Sequence, residues 1–201
     1  MKKIELPVSY GNRKLDGGNT MIYNITSAVD CPSDIEGLCD MGRMTGDGKC
    51  YALKAERLYP QTLTYRRRQT KWWDLFFSVD AFCRALKKTT KFFRYNEAGD
   101  FRNQVDVDKM AEVCYAITEA RTDVACYGYT RRSDLDLRDL SVVSNVVVGG
   151  GVELPACSSA EVVSTASEAS EGWFVCPGKH CMTKCCHCAM RRNGRVSFVL
   201  H

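Results

Sequence analysis

The chain carries 201 residues, 45% of them hydrophobic, and its 28 basic and 24 acidic side chains leave a formal net charge of +4. A chain of this length buries roughly 70% of its unfolded surface in one domain, and a charge this mild and dispersed permits nucleic acid as a partner without implying it. The opening MKKIELPVSY meets Glu5 and Pro7 where an export signal needs an unbroken apolar run, and stretches such as SNVVVGGGV fall far short of the ~20 residues that span a bilayer, so the expectation is a soluble, cytoplasmic protein with no membrane partner.

In chain order, the first strand signal is MIYNITSA, followed by CPSDIEGLCDMGRMTGDGKCYA, which is glycine-rich and polar and reads as loop. In WWDLFFSVDAFCRAL, residues Trp72, Phe76, Val79, Cys83 and Leu86 recur at three- and four-residue spacing, the apolar stripe of one amphipathic helix. KFFRYNEA is the next strand, and Val107, Met110, Cys114 and Ile117 mark a second helix with Asp106 as its N-cap. DVACYGYT, VVSNVVVGG, EVVSTA, GWFVC and VSFVL complete the strand candidates.

Alternation of strand and helix predicts an α/β fold with a largely parallel sheet. A complete eight-stranded barrel takes about 250 residues, so a short or partial (β/α) barrel-like sheet is expected. Residues 1–175 form this unit, and 176–201 a cysteine-rich, metal-binding segment packed on it. Reactive groups in such sheets gather at the carboxyl ends of strands. Cys31, Glu97, Gly99, Asp100, Thr130, Arg131 and Arg132 are placed there; the neighbouring Arg131 and Arg132 read as surface charge rather than as an anion site.

The 12 cysteines decide the chemistry, because a reducing compartment favours metal binding or catalysis over disulfides. Cys83 and Cys114 fall on apolar helix faces and behave as small core hydrophobes, while Cys126 lies in a strand and Cys157 in a loop. In CPGKHCMTKCCHCA, the thiols of Cys176, Cys181, Cys185 and Cys188 suit tetrahedral zinc or a [4Fe-4S] cluster. Cys186 can replace Cys185, and His180 or His187 can enter a zinc site. Cys31, Cys39 and Cys50 are more widely spaced, and three ligands leave a coordination position open for a substrate or cofactor. The only histidines, His180, His187 and His201, lie in the tail region, so no Ser-His-Asp arrangement is supported, and no G-x-x-x-x-G-K-[ST] phosphate loop occurs.

The order of GGNTMIYNITSAVDCPS, CYALKAERLYP, FFRYNEAGDF, YGYTRRSD, the cysteine-rich tail and VSFVLH resembles the phage "gene product eighty-eight" family from about Gly17 to His201. The layout of that family is similar to a trimmed radical S-adenosylmethionine barrel. The resemblance implies that Cys31, Cys39 and Cys50 hold a [4Fe-4S] cluster whose fourth iron is left for S-adenosylmethionine. It further implies that Gly99 and Asp100, with Glu97 beside them, bind that cofactor, and that Cys176, Cys181, Cys185 and Cys188 hold an auxiliary cluster. The first loop departs from the usual C-x3-C-x2-C, with Lys49 before Cys50 and Tyr51 after it. The implied function is an iron-sulfur enzyme of unknown small-molecule substrate, in the host cytoplasm if phage-encoded. The alternative is a zinc- or iron-sulfur-stabilised phage protein that binds nucleic acid or a protein without catalysis. YRRRQTKWW supports that alternative, although Trp72 belongs to the helix stripe.

Overall fold

A computed structural model describes residues 5–11, 19–42, 49–178, 187–190 and 193–199. Strands β1 (Ser9–Tyr10), β2 (Thr20–Tyr23), β3 (Phe92–Tyr95), β4 (Ala125–Thr130), β5 (Asn145–Gly149), β6 (Ser158–Val163), β7 (Phe174–Val175) and β8 (Arg195–Val199) make one sheet. Its order is β1-β2-β3-β4-β5-β6-β8-β7. Among the described residues, only the β1-β2 pair is antiparallel. Helices α1 (Pro32–Ile35), α2 (Tyr51–Leu58), α3 (Pro60–Phe76) and α4 (Val79–Ala85) lie between β2 and β3. Helix α5 (Gln104–Ala120) joins β3 to β4, α6 (Arg138–Val143) joins β4 to β5, and α7 (His187–Met190) precedes β8. The mixed α/β class and mostly parallel sheet follow the sequence expectation. The sheet is open, with β1 at one edge and β7 at the other.

Alternation of side chains along each strand divides the sheet into two faces. Met21, Tyr23, Phe93, Tyr95, Cys126, Val146 and Val148 point to the first face, against Trp72 and Trp73 of α3, Phe82 of α4 and the apolar stripe of α5. The Tyr23 and Phe82 rings meet edge to face at 5.0 Å, an arrangement that adds to the burial term. Ile22, Tyr127, Val147, Ala160 and Val196 lie on the second face. Ala189 of α7 packs there, so this short helix lies on the second face.

The stripe from Trp72 to Leu86 forms two helices rather than one. The chain is extended at Phe77 and Ser78, which turns α4 back toward the sheet and brings Phe82 onto the same rings as Trp73. Phe82 takes the core place, and Cys83 is half-buried at its margin. The α5 N-cap is Asn103, whose side chain accepts from the Asp106 amide. Asp106 lies inside the first turn because its buried carboxylate is taken up by the Trp73 indole and the Arg102 guanidinium. Cys157 is buried just before β6, which begins at Ser158, earlier than EVVSTA suggests. GWFVC supplies only the short β7.

Candidate thiol site at the carboxyl edge

Beyond β2 the chain reaches Cys31, the N-cap of α1, where Pro32 supplies a fixed φ at the first helical position. The loop then doubles back. The Gly42 amide donates to the Cys39 carbonyl at 3.1 Å, and the Cys50 amide to the Met41 carbonyl at 3.0 Å. Only glycine fits at 42, since a Cβ would stand 2.1 Å from Asp34 Oδ1. Cys50 in turn is the N-cap of α2.

Cys31, Cys39 and Cys50 are all half-buried. Burial pushes the Cys31 thiol up, with the charge of Asp100 and then that of Cys39 adding to it. Burial also raises the Cys39 thiol, which feels Arg131 as an opposing cation and Cys50 as a like-charged neighbour. Cys39 is therefore the electrostatic link between the other two. Among the described residues, no three His, Cys, Asp or Glu side chains are gathered closely enough to hold a metal ion. The donors suit a soft metal in kind, but they do not close into a coordination shell around a single ion. Since thiolates are the ligands, a metal would also have to displace their protons.

Asp100 is only 2% exposed. Its carboxylate accepts from Ser33 Oγ at 2.7 Å, Thr130 Oγ1 at 2.6 Å, the Arg131 amide at 2.7 Å and the Phe101 amide at 2.8 Å. These four bonds fill the acceptor sites of a carboxylate. Burial raises its pKa, and the same donors oppose the rise. Asp100 thus ties together the loops after β2, β3 and β4 rather than facing outward. Gly99 has φ +68°, and a Cβ there would stand 2.3 Å from the Thr26 carbonyl oxygen, so the pair packs against the loop after β2. Glu97 is turned another way. Its carboxylate lies 3.7 Å from Arg66 and 3.8 Å from Arg94, and its carbonyl accepts from the Tyr51 hydroxyl.

Several organising residues were absent from the sequence reading. Glu56 of α2 accepts from the Ala28 amide at 2.8 Å, the Val29 amide at 3.0 Å and Arg66 Nη1 at 2.8 Å. The clamp fastens the segment before Cys31 to the helix that follows Cys50. Within YRRRQTKWW, Arg66 is thereby buried, Arg67 holds Asp30 with two bonds, and both tryptophans are in the core. The reading of Arg131 and Arg132 as surface charge is corrected. Arg132 is buried, donating to the Phe101 and Arg102 carbonyls and to Asp134. Arg131 pairs with Asp40 and packs over Gly149, where a Cβ would come 2.5 Å from its Nε. The glycine run after β5 was the available signal.

In the C-terminal segment, Cys176 and Cys188 pack against one apolar cluster with Tyr129, Phe174 and Phe198. The Asn145 side-chain Nδ2 donates to the Cys188 carbonyl, and the His187 ring stacks on Phe174 at 4.1 Å. Cys181, Cys185, Cys186 and His180 lie outside the described residues. Arg195 pairs with Glu153. Among the described residues, no helix is long and apolar enough to cross a membrane.

Fold and edge together define an α/β protein with an open, mostly parallel sheet and a thiol-bearing loop after its first parallel strand. The chain belongs to the Gene product 88 family, whose model matches residues 5–150. That span contains Cys31, Cys39, Cys50 and the Glu97–Asp100 turn and ends before Cys176. No curated protein and no solved structure gave a significant match.

Proposed function

We propose that the chain is an iron-sulfur protein in which Cys31, Cys39 and Cys50 are the ligands of a cluster, of the radical S-adenosylmethionine type, acting on a small molecule. The observation that carries the reading is the set of three half-buried cysteines, Cys31, Cys39 and Cys50, on the loop at the carboxyl edge after β2, with Cys31 and Cys50 as helix N-caps. The sequential order of the parallel strands from β2 to β6, with the cysteine loop following the first of them, supports it. The chemistry expected of such a site is reductive cleavage of S-adenosylmethionine.

Each residue of the chain has a narrower task. Glu56 and Arg66 hold the two ends of the loop together. Asp100 fixes Ser33 behind Cys31 and the Arg131 backbone, and so acts by positioning. Gly99 lets the turn approach Thr26. Glu97 faces Arg66 and Arg94 on the other side of this turn. Cys176, Cys181, Cys185 and Cys188 form a second site, for an auxiliary cluster or for zinc. A nucleic-acid role has less support, because Arg66, Arg67, Trp72 and Trp73 are engaged inside the fold.

The test is iron and acid-labile sulfide content of protein purified without oxygen, beside Cys39→Ala and Cys83→Ala. About four irons per cluster with matching sulfide are expected, lost from the N-terminal site in Cys39→Ala and kept in Cys83→Ala. Zinc without sulfide, or equal loss from both variants, would overturn the assignment. Release of 5′-deoxyadenosine from S-adenosylmethionine under reducing conditions then tests the reaction.

A further inference from the structure

We infer that Arg94 is an anion-recognition residue, holding a carboxylate or phosphate group of a ligand on the second face of the sheet beside Tyr51. Arg94 stands near the carboxyl end of β3, in register with Ile22 of β2 and Tyr127 of β4, on the face opposite the helical core. Its side chain is only 14% exposed. A guanidinium carries five N–H donors in a planar fork. Here one is used, from Nη2 to the Tyr51 hydroxyl at 3.3 Å. Nε is buried with no hydrogen-bond partner among the described residues. The nearest carboxylate, Glu97, is 3.8 Å from Nη1, close enough for attraction and too far for a hydrogen bond. The group lies over the Tyr129 ring at 5.1 Å, which holds its plane without supplying an acceptor.

Burying a cation with most of its donors idle costs free energy, and an apolar side chain would pack against Ile22 and Tyr127 at no such cost. A fork with idle donors matches an oxyanion that takes two parallel bonds, as carboxylates and phosphates do. Tyr51, which is exposed, supplies aromatic surface for the rest of a ligand. Tyr51 directly follows Cys50, so the ligand would lie next to the thiol loop, yet the inference does not depend on what the cysteines hold.

The test compares the full chain, purified without oxygen, with Arg94→Met and Arg94→Lys by thermal unfolding in chloride buffer. Inorganic phosphate or acetate is then added at equal ionic strength, and iron content is measured in parallel. Arg94→Met is expected to melt no lower than wild type in chloride, because it removes donors that have no acceptor. At least one anion is expected to raise the wild-type midpoint by several degrees and to leave Arg94→Met unmoved. Arg94→Lys, a point charge without the fork, keeps only a fraction of the rise. A rise with phosphate alone assigns a phosphoryl ligand, and one with acetate alone a carboxylate. The inference is overturned if Arg94→Met melts several degrees lower in chloride, if neither anion moves wild type, or if both proteins respond equally. Iron retained in Arg94→Met while the anion response is lost separates this result from the cluster assignment.

Discussion

Replacing Glu56 by alanine tests how much the cysteine loop depends on one buried carboxylate. The side chains of Glu56 and Arg66 are 1% and 6% exposed, so their attraction is scarcely screened by water. Truncation leaves the guanidinium only the Ala52 carbonyl at 3.4 Å and Glu97 at 3.7 Å, and takes the acceptor from the Ala28 and Val29 amides. Breaking a buried pair from one side costs about 3–5 kcal/mol. That is a large part of the 5–15 kcal/mol or so that holds a domain together. Adding Arg66→Met removes the stranded cation and leaves the two amides, so the loss should shrink to about 2 kcal/mol. Equilibrium urea unfolding followed by fluorescence of the buried Trp72 and Trp73 reads both values. Native-state alkylation of Cys31 and Cys50 should quicken in the single variant, since both ends of the loop lose their anchor. A single variant that loses under about 1 kcal/mol, or a double variant no more stable than the single, would refute the argument.

Two further outcomes follow from the same edge and its neighbouring core. Gly99→Ala combines a left-handed backbone with a Cβ placed against the Thr26 carbonyl, and should destabilise by roughly 2–5 kcal/mol in a urea midpoint comparison; a change near zero would mean that the turn relaxes freely. For Asp106, burial pushes the carboxyl up, but the hydrogen bonds from Arg102 and Trp73 outweigh it and hold the group below the usual carboxylate range. A folded pKa below the unfolded one gives stability that is present above about pH 4 and lost as pH falls through the lower, folded value. Asp106→Asn should therefore cost about 2 kcal/mol at pH 7, with the gap to wild type narrowing in acid; equal gaps at both pH values would count against the ion pair.

The parallel sheet was legible because TMIY, FFRY, ACYGYT and NVVVG are short strand-forming runs separated by helical periodicity. Cys114 and Trp72 were legible as core from the same periodicity. Three- and four-residue spacing is blind to a backbone turn, however, so the break at Phe77 and Ser78 went unseen. Nor does spacing reveal pairing across elements: Glu56 and Arg66 meet between consecutive helices, and Glu56 caps amides nearly thirty residues upstream. Asp100 was recognised as special by its motif, but a motif does not tell an acid that faces a ligand from one that fastens loops. Arg94 and Arg132 were hidden by the expectation that arginine lies at the surface.

The two strands that end the sheet, Ser9–Tyr10 and Phe174–Val175, are each only two residues long. An open sheet must leave rows of backbone donors and acceptors at its margins, and long flat margins invite pairing with another copy. Here the lateral growth of the sheet stops in stubs too short to serve as templates, while the fully buried TMIY of β2 and the RVSFV of β8 stay one place inward. Trimming the chain past Gly11 would turn β2 into the margin, and the price would appear as self-association rather than as lost chemistry.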